Sequence, residues 1–124
     1  MSNKLRLLLA QLNPTVGDLE KNAELLINTY QDAKDLDVDL IAFPEMFLTG
    51  YQIQDLVLKP SFQNDILRYL DLLVGECSGQ ISILFGAPIL EKNNLYNSYL
   101  QIIDGKINVI STKKNLPNFD IFDE

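Results

Sequence analysis

Residues 5–12, 38–43 and 81–87 are short, almost unbroken apolar runs, and the segments between them repeat at a different period. Runs of this length without polar alternation suit strands buried on both faces, as in layered α/β folds. Over residues 18–36, Leu19, Ala23, Leu26, Tyr30 and Ala33 recur every third or fourth position, which predicts a helix. Asp18 and Glu20 suit its positive end. Ser61 is the expected N-cap of a second helix whose apolar side carries Phe62, Ile66, Tyr69, Leu70 and Leu73. A short helical turn is expected over 55–58, ahead of Pro60.

Beyond the third run, residues 95–103 and 106–112 flank Asp104-Gly105, the clearest hairpin signal in the chain. The resulting order is β-α-β-α-β-β-β, a parallel start followed by an antiparallel end. The expected class is therefore α/β: one mixed sheet with helices on one face, its other face covered by something else.

The charge balance narrows the partners. With 10 basic and 17 acidic residues the net charge is −7, and no basic block interrupts it. Nucleic acid and anionic membrane are poor partners for such a surface. The chain has no histidine, which removes the Ser-His-Asp and Cys-His mechanisms and argues against a zinc site. Lys4 and Arg6 precede Leu7-Leu8-Leu9-Ala10, but Gln11 ends that run too early for a signal peptide core or a membrane span. A cytoplasmic location is the default expectation.

Two isolated charges stand at strand exits. Glu45 follows the second strand and Pro44; Lys113 follows the last strand and enters a proline-containing loop. Open α/β sheets bind ligands at the carboxyl ends of strands. A partly buried carboxylate there acts as a general base, and an ammonium stabilises an acyl oxyanion. On position alone, an ordinary rim glutamate and a strand-end lysine account for both. Because neighbours on a strand alternate faces, at most one of Lys113 and Lys114 should face a pocket. The lone cysteine, Cys77, continues the apolar stripe of the second helix beside Glu76. That setting disfavours a thiolate, so Cys77 reads as a small buried hydrophobe and not as a nucleophile.

These segments are similar to a known family. Phe43-Pro44-Glu45-Met46-Phe47-Leu48-Thr49-Gly50-Tyr51 resembles the glutamate motif of the carbon–nitrogen hydrolases, the nitrilase superfamily, and Lys113-Lys114-Asn115-Leu116 resembles its lysine motif. Gln11-Leu12-Asn13-Pro14-Thr15-Val16-Gly17-Asp18 resembles its first strand and loop. Gln54-Asp55-Leu56, and Leu116-Pro117-Asn118-Phe119 running into Phe122-Asp123-Glu124, look like one branch, the glutaminase domains of glutamine-dependent NAD synthetases.

The resemblance implies the first half of a nitrilase-like α-β-β-α sandwich, with residues 1–124 as the amino-terminal portion of a glutaminase domain. It implies Glu45 as the general base, Lys113 as the group that stabilises the tetrahedral intermediate, and Tyr51 as part of a glutamine pocket. Phe119 stands where the family usually has a tyrosine that contacts glutamine; the missing hydroxyl removes a hydrogen bond worth roughly 0.5–1.5 kcal/mol. The family's nucleophile opens a later Cys-Glu-Asp motif expected beyond residue 124. The synthetase domain, with its ATP and Mg2+, is expected there too, so this chain should hold no cofactor and be inactive alone. Its expected partners are glutamine, the missing half-domain, the synthetase domain and further copies of itself. Another amidase or carbamoylase of the superfamily, or a non-catalytic assembly half-domain, are the alternatives.

Overall fold

Five strands hydrogen-bond side by side in the order in which they occur along the chain. They are β1 (Leu7–Leu9), β2 (Leu40–Ala42), β3 (Ser82–Glu91), β4 (Asn94–Ile103) and β5 (Lys106–Asn115). Helix α1 (Leu19–Ala33) joins β1 to β2, and α2 (Pro60–Glu76) precedes β3. The computed structural model describes residues 5–15, 17–50, 59–92 and 94–115; the expected turn over 55–58 lies outside them. β1, β2 and β3 are parallel, and β3, β4 and β5 antiparallel. The mixed sheet expected from the sequence is the sheet observed.

One row of side chains explains how the layers hold together. Leu8, Ile41, Ile83 and Ile102 sit opposite one another across four strands. Ile41, Ile83 and Ile102 are fully buried, as is Phe85 next along the same face. They form one core with Leu26, Tyr30 and Ala33 of α1 and Ile66, Leu70 and Leu73 of α2. Each such aliphatic side chain contributes roughly 1.5–3 kcal/mol on burial. The opposite face is open at β1, where Leu7 and Leu9 are 50% and 59% exposed.

The element ends depart from expectation for local reasons. α1 starts as read, with the Asp18 carboxylate accepting from the Lys21 amide at 3.0 Å. It stops at Ala33, before Leu36, and Asp37 then adopts a positive φ of 56° that ends the helical path. Ser61 does not cap α2. Lys59 is the cap residue, extended as a residue before proline must be, and Pro60 opens the helix without an amide that needs a partner.

β3 runs past Pro88 to Glu91, farther than its apolar run. The Leu84 and Gly86 carbonyls point towards β2, which places the Pro88 nitrogen on that side as well. β2 has already ended at Ala42, so the absent amide costs no ladder bond. Gln63 of α2 fills the gap, donating to the Pro88 carbonyl at 3.3 Å and accepting from the Leu90 amide at 3.0 Å. The β4–β5 turn is as read: Asp104 and Gly105 both have positive φ, 54° and 72°, as a type I′ hairpin requires.

Candidate active site

Glu45 reaches its place by crossing a strand. The β2–β3 ladder runs one bond further, from the Phe43 amide to the Leu84 carbonyl at 2.8 Å, and Pro44 then stops it. The chain turns over β3, where the Leu48 amide donates to the Gly86 carbonyl at 3.2 Å. The crossing depends on a missing side chain. A Cβ on Gly86 would run into the Met46 backbone nitrogen and stand 3.1 Å from the Glu45 Cα.

The turn is anchored along its length. Met46 takes a positive φ of 61°, a conformation that costs a non-glycine residue roughly 1–2 kcal/mol and is retained only where its surroundings hold it. Phe43 and Phe47 pack ring to ring at 4.8 Å. Buried Asn22 of α1 donates to the Leu48 carbonyl at 2.9 Å and the Thr15 carbonyl at 2.7 Å, and accepts from the Thr15 amide at 2.7 Å. The Gly17 amide donates to the Thr49 carbonyl at 2.8 Å. Residues 46–50 are all buried, whereas Glu45 is exposed. The partial burial expected of Glu45 is therefore not found among the described residues; its carboxylate is held outward on a fixed support.

Lys113 is aimed by an irregularity in β5. Leu100 pairs with Val109 but Tyr99 pairs with Ser111, so Ile110 is an extra residue, a β-bulge. Continuous pairing would have put Lys113 opposite Tyr96. The bulge puts it opposite Asn97, on the face shared with Tyr99 and Gly86. One inserted residue thus puts Lys113 on the cavity side of β5.

Both charges line one cavity of about 530 Å³, with Asn97, Ser98, Tyr99, Ser111 and Thr112. The sequence reading missed these five polar residues. The alternation of β4 could have offered Asn97 and Tyr99 as one face, but the bulge that selects the partners on β5 leaves no mark in composition. Tyr99 is held above the ordinary tyrosine range, first by burial and then by the charge of Glu45, so its hydroxyl stays a neutral donor. Tyr51 and Phe119, the expected glutamine contacts, lie outside the described residues.

Cys77 is fully buried at the end of α2 in the hydrophobic core. Burial above all, then the Glu76 carboxylate, pushes its thiol from 9.0 up to about 12, with Lys34 opposing weakly. A thiol so placed is neither ionised nor accessible. No cluster of three or more His, Cys, Asp or Glu side chains able to hold a metal ion occurs among the described residues. What the cavity can do chemically is accept a proton at Glu45 and stabilise negative charge at Lys113.

Comparison with known proteins shows what the chain and its fold are similar to. Residues 6–119 match the carbon–nitrogen hydrolase family. The glutamine-dependent NAD(+) synthetase of Rhodobacter capsulatus is 41% identical over 124 residues, covering 100% of this chain and 22% of its own length. The structure of the glutamine-dependent NAD+ synthetase from Acinetobacter baumannii superposes with a TM-score of 0.73 at 31% identity, covering 96% of this chain and 22% of that one. An amidase of the nitrilase superfamily from Nesterenkonia AN1 has the same fold, with a TM-score of 0.69 at 16% identity over 89% of this chain and 42% of its own. The chain thus spans about a fifth of the length of the synthetases it matches.

Proposed function

This chain belongs to the carbon–nitrogen hydrolase family, and we propose that it supplies the base and the lysine of a glutamine-hydrolysing site whose thiol comes from a further stretch of polypeptide. One observation carries the reading. Glu45, just past β2, and Lys113, within β5, line a common cavity although β3 and β4 lie between those strands. Cys77 is buried in the core, so the nucleophile has to be another cysteine.

The chemistry follows from the two charges. Glu45 takes the proton of the incoming thiol, and the thiolate attacks the side-chain amide carbon of glutamine. Lys113 stabilises the oxyanion of the tetrahedral intermediate. Collapse expels ammonia, which takes its proton from Glu45, and leaves a thioester. Water then hydrolyses the thioester, with Glu45 again the base. Tyr51 and Phe119 are assigned to the glutamine pocket, Phe119 without the hydroxyl that a tyrosine would bring.

Residues 1–124 are, in this reading, the amino-terminal portion of the glutaminase domain of a cytoplasmic glutamine-dependent NAD synthetase. The names of the relatives support that branch. The ammonia would amidate nicotinate adenine dinucleotide in a separate domain, at the expense of ATP with Mg2+. The described residues include no acidic cluster fit for that metal, and no step here runs through it. The open apolar face at Leu7 and Leu9 favours a second reading alongside the first, association with a covering half-domain or another copy of the chain.

The test is the fate of glutamine. The isolated 124-residue chain is expected to release no ammonia, whereas the full-length protein does and accumulates a glutamyl thioester outside residues 1–124. Ammonia release by the isolated chain, or a thioester mapped to Cys77, contradicts the reading.

A further inference from the structure

Tyr99 lies on β4 directly opposite Gly86 of β3. Gly86 leaves a bare patch on which the Glu45–Met46 backbone rests, so the Tyr99 ring stands beside that turn. Its hydroxyl donates to the Phe43 carbonyl at 2.9 Å. Phe43 is therefore gripped on both sides, its amide by Leu84 of β3 and its carbonyl by Tyr99 of β4. Pro44 has no amide to offer, and the next bond from the turn to the sheet comes only at Leu48. On its amino-terminal side, then, the Glu45 carboxylate is tethered to β4 through this one hydroxyl. The same ring lines the cavity with Glu45 and Lys113, the titratable side chains that share it.

We propose that Tyr99 is a positioning residue for the Glu45 carboxylate, acting by tying the Phe43 carbonyl to β4. This rests on the reading of Glu45 as the general base. A tether of this kind sets where the base stands without touching the reacting atoms. A base displaced by about an ångström loses on the order of 100-fold in rate while substrate binding is little changed. The residue is not marked by the sequence motif around Glu45. It comes from a strand that the chain reaches more than fifty positions later, and only the β3–β4 register brings it there.

The experiment uses the full-length protein with Tyr99→Phe, Glu45→Gln and the double variant. Tyr99→Phe keeps the ring and removes only the donor. It is expected to lower kcat for glutamine hydrolysis about 10- to 100-fold with KM changed less than about twofold. On the Glu45→Gln background it should cost nothing further, because its effect passes through Glu45. Equal losses on both backgrounds, or a change in KM alone, overturn the proposal.

A second measurement needs no turnover and separates this proposal from the general-base reading. With 13C-labelled tyrosine, Glu45→Gln should lower the Tyr99 titration midpoint, and Tyr99→Phe should move the Glu45 and Met46 amide resonances. Full activity of Glu45→Gln would remove the general-base role while those resonances still decide the tether. Their failure to move overturns it.

Discussion

A methyl group at Gly86 would collide with the Met46 backbone nitrogen and press on the Glu45 Cα. Gly86→Ala is therefore expected to lower stability by about 1–3 kcal/mol, read as a fall in the urea midpoint. Glutamine hydrolysis by the full-length protein should fall with it, because the Glu45 turn has to lift off β3. Asn22→Leu leaves the buried Leu48 carbonyl without its partner, at about 1–3 kcal/mol, while the Thr15 amide, on an exposed residue, can turn to water. Cys77 gives a pH signature. Its thiol ionises near 9.0 when exposed but only near about 12 in the fold. The fold is thus favoured fully below pH 9 and loses that contribution as pH rises from 9 towards 12. Urea midpoints across that window should fall, and Cys77→Ala should remove this part of the fall. Glu45 was legible in the sequence as a charge at a strand exit and Lys113 by its motif, although β5 runs on to Asn115 and so holds Lys113 inside the strand and not past its end. Asn97 and Tyr99 were not, because their membership of the site depends on strand register and not on neighbouring residues.

Among the elements, the most consequential detail is the extra residue in β5. Deleting Ile110 would close the bulge and leave Lys113 opposite Asn97, whereas deleting Thr112 shifts Lys113 by one place, opposite Ser98 on the helix-packed side. With Thr112 deleted, glutamine turnover should drop by about 10²–10³, the range for losing an oxyanion partner, while the circular dichroism of the sheet is kept. Turnover at the original rate in that variant would show that strand register does not aim the lysine. The hairpin turn was readable from Asp104-Gly105 alone, because two positive φ values in succession leave few alternatives. The extension of β3 past Pro88 was not. Proline ordinarily argues against a strand interior, and only the early end of β2 and the arrival of Gln63 make it harmless. Ser61 failed as a cap for a related reason: Pro60 begins the helix one residue earlier and leaves the serine inside it.

At the scale of the whole molecule, the two faces of the sheet are unequal. One is sealed by α1 and α2, and the other shows Leu7 and Leu9 to solvent. The isolated chain is expected to self-associate through that face, and Leu7→Lys with Leu9→Lys should reduce its apparent mass in light scattering. The same asymmetry suits a nucleophile delivered from outside, since the cavity holds a carboxylate and an ammonium but Cys77 lies in the opposite layer. The α/β class and the succession of elements along the chain were plain from the alternation of apolar runs with helical periods. How Glu45 and Lys113 meet was not, because it depends on a crossing over Gly86 and a bulge at Ile110. The rate of ammonia release by the full-length protein carrying Glu45→Gln tests this meeting most directly. A loss of about 10²–10⁴ in kcat with the fold intact is the result expected of a general base. A variant that releases ammonia as fast as the unaltered protein would contradict it.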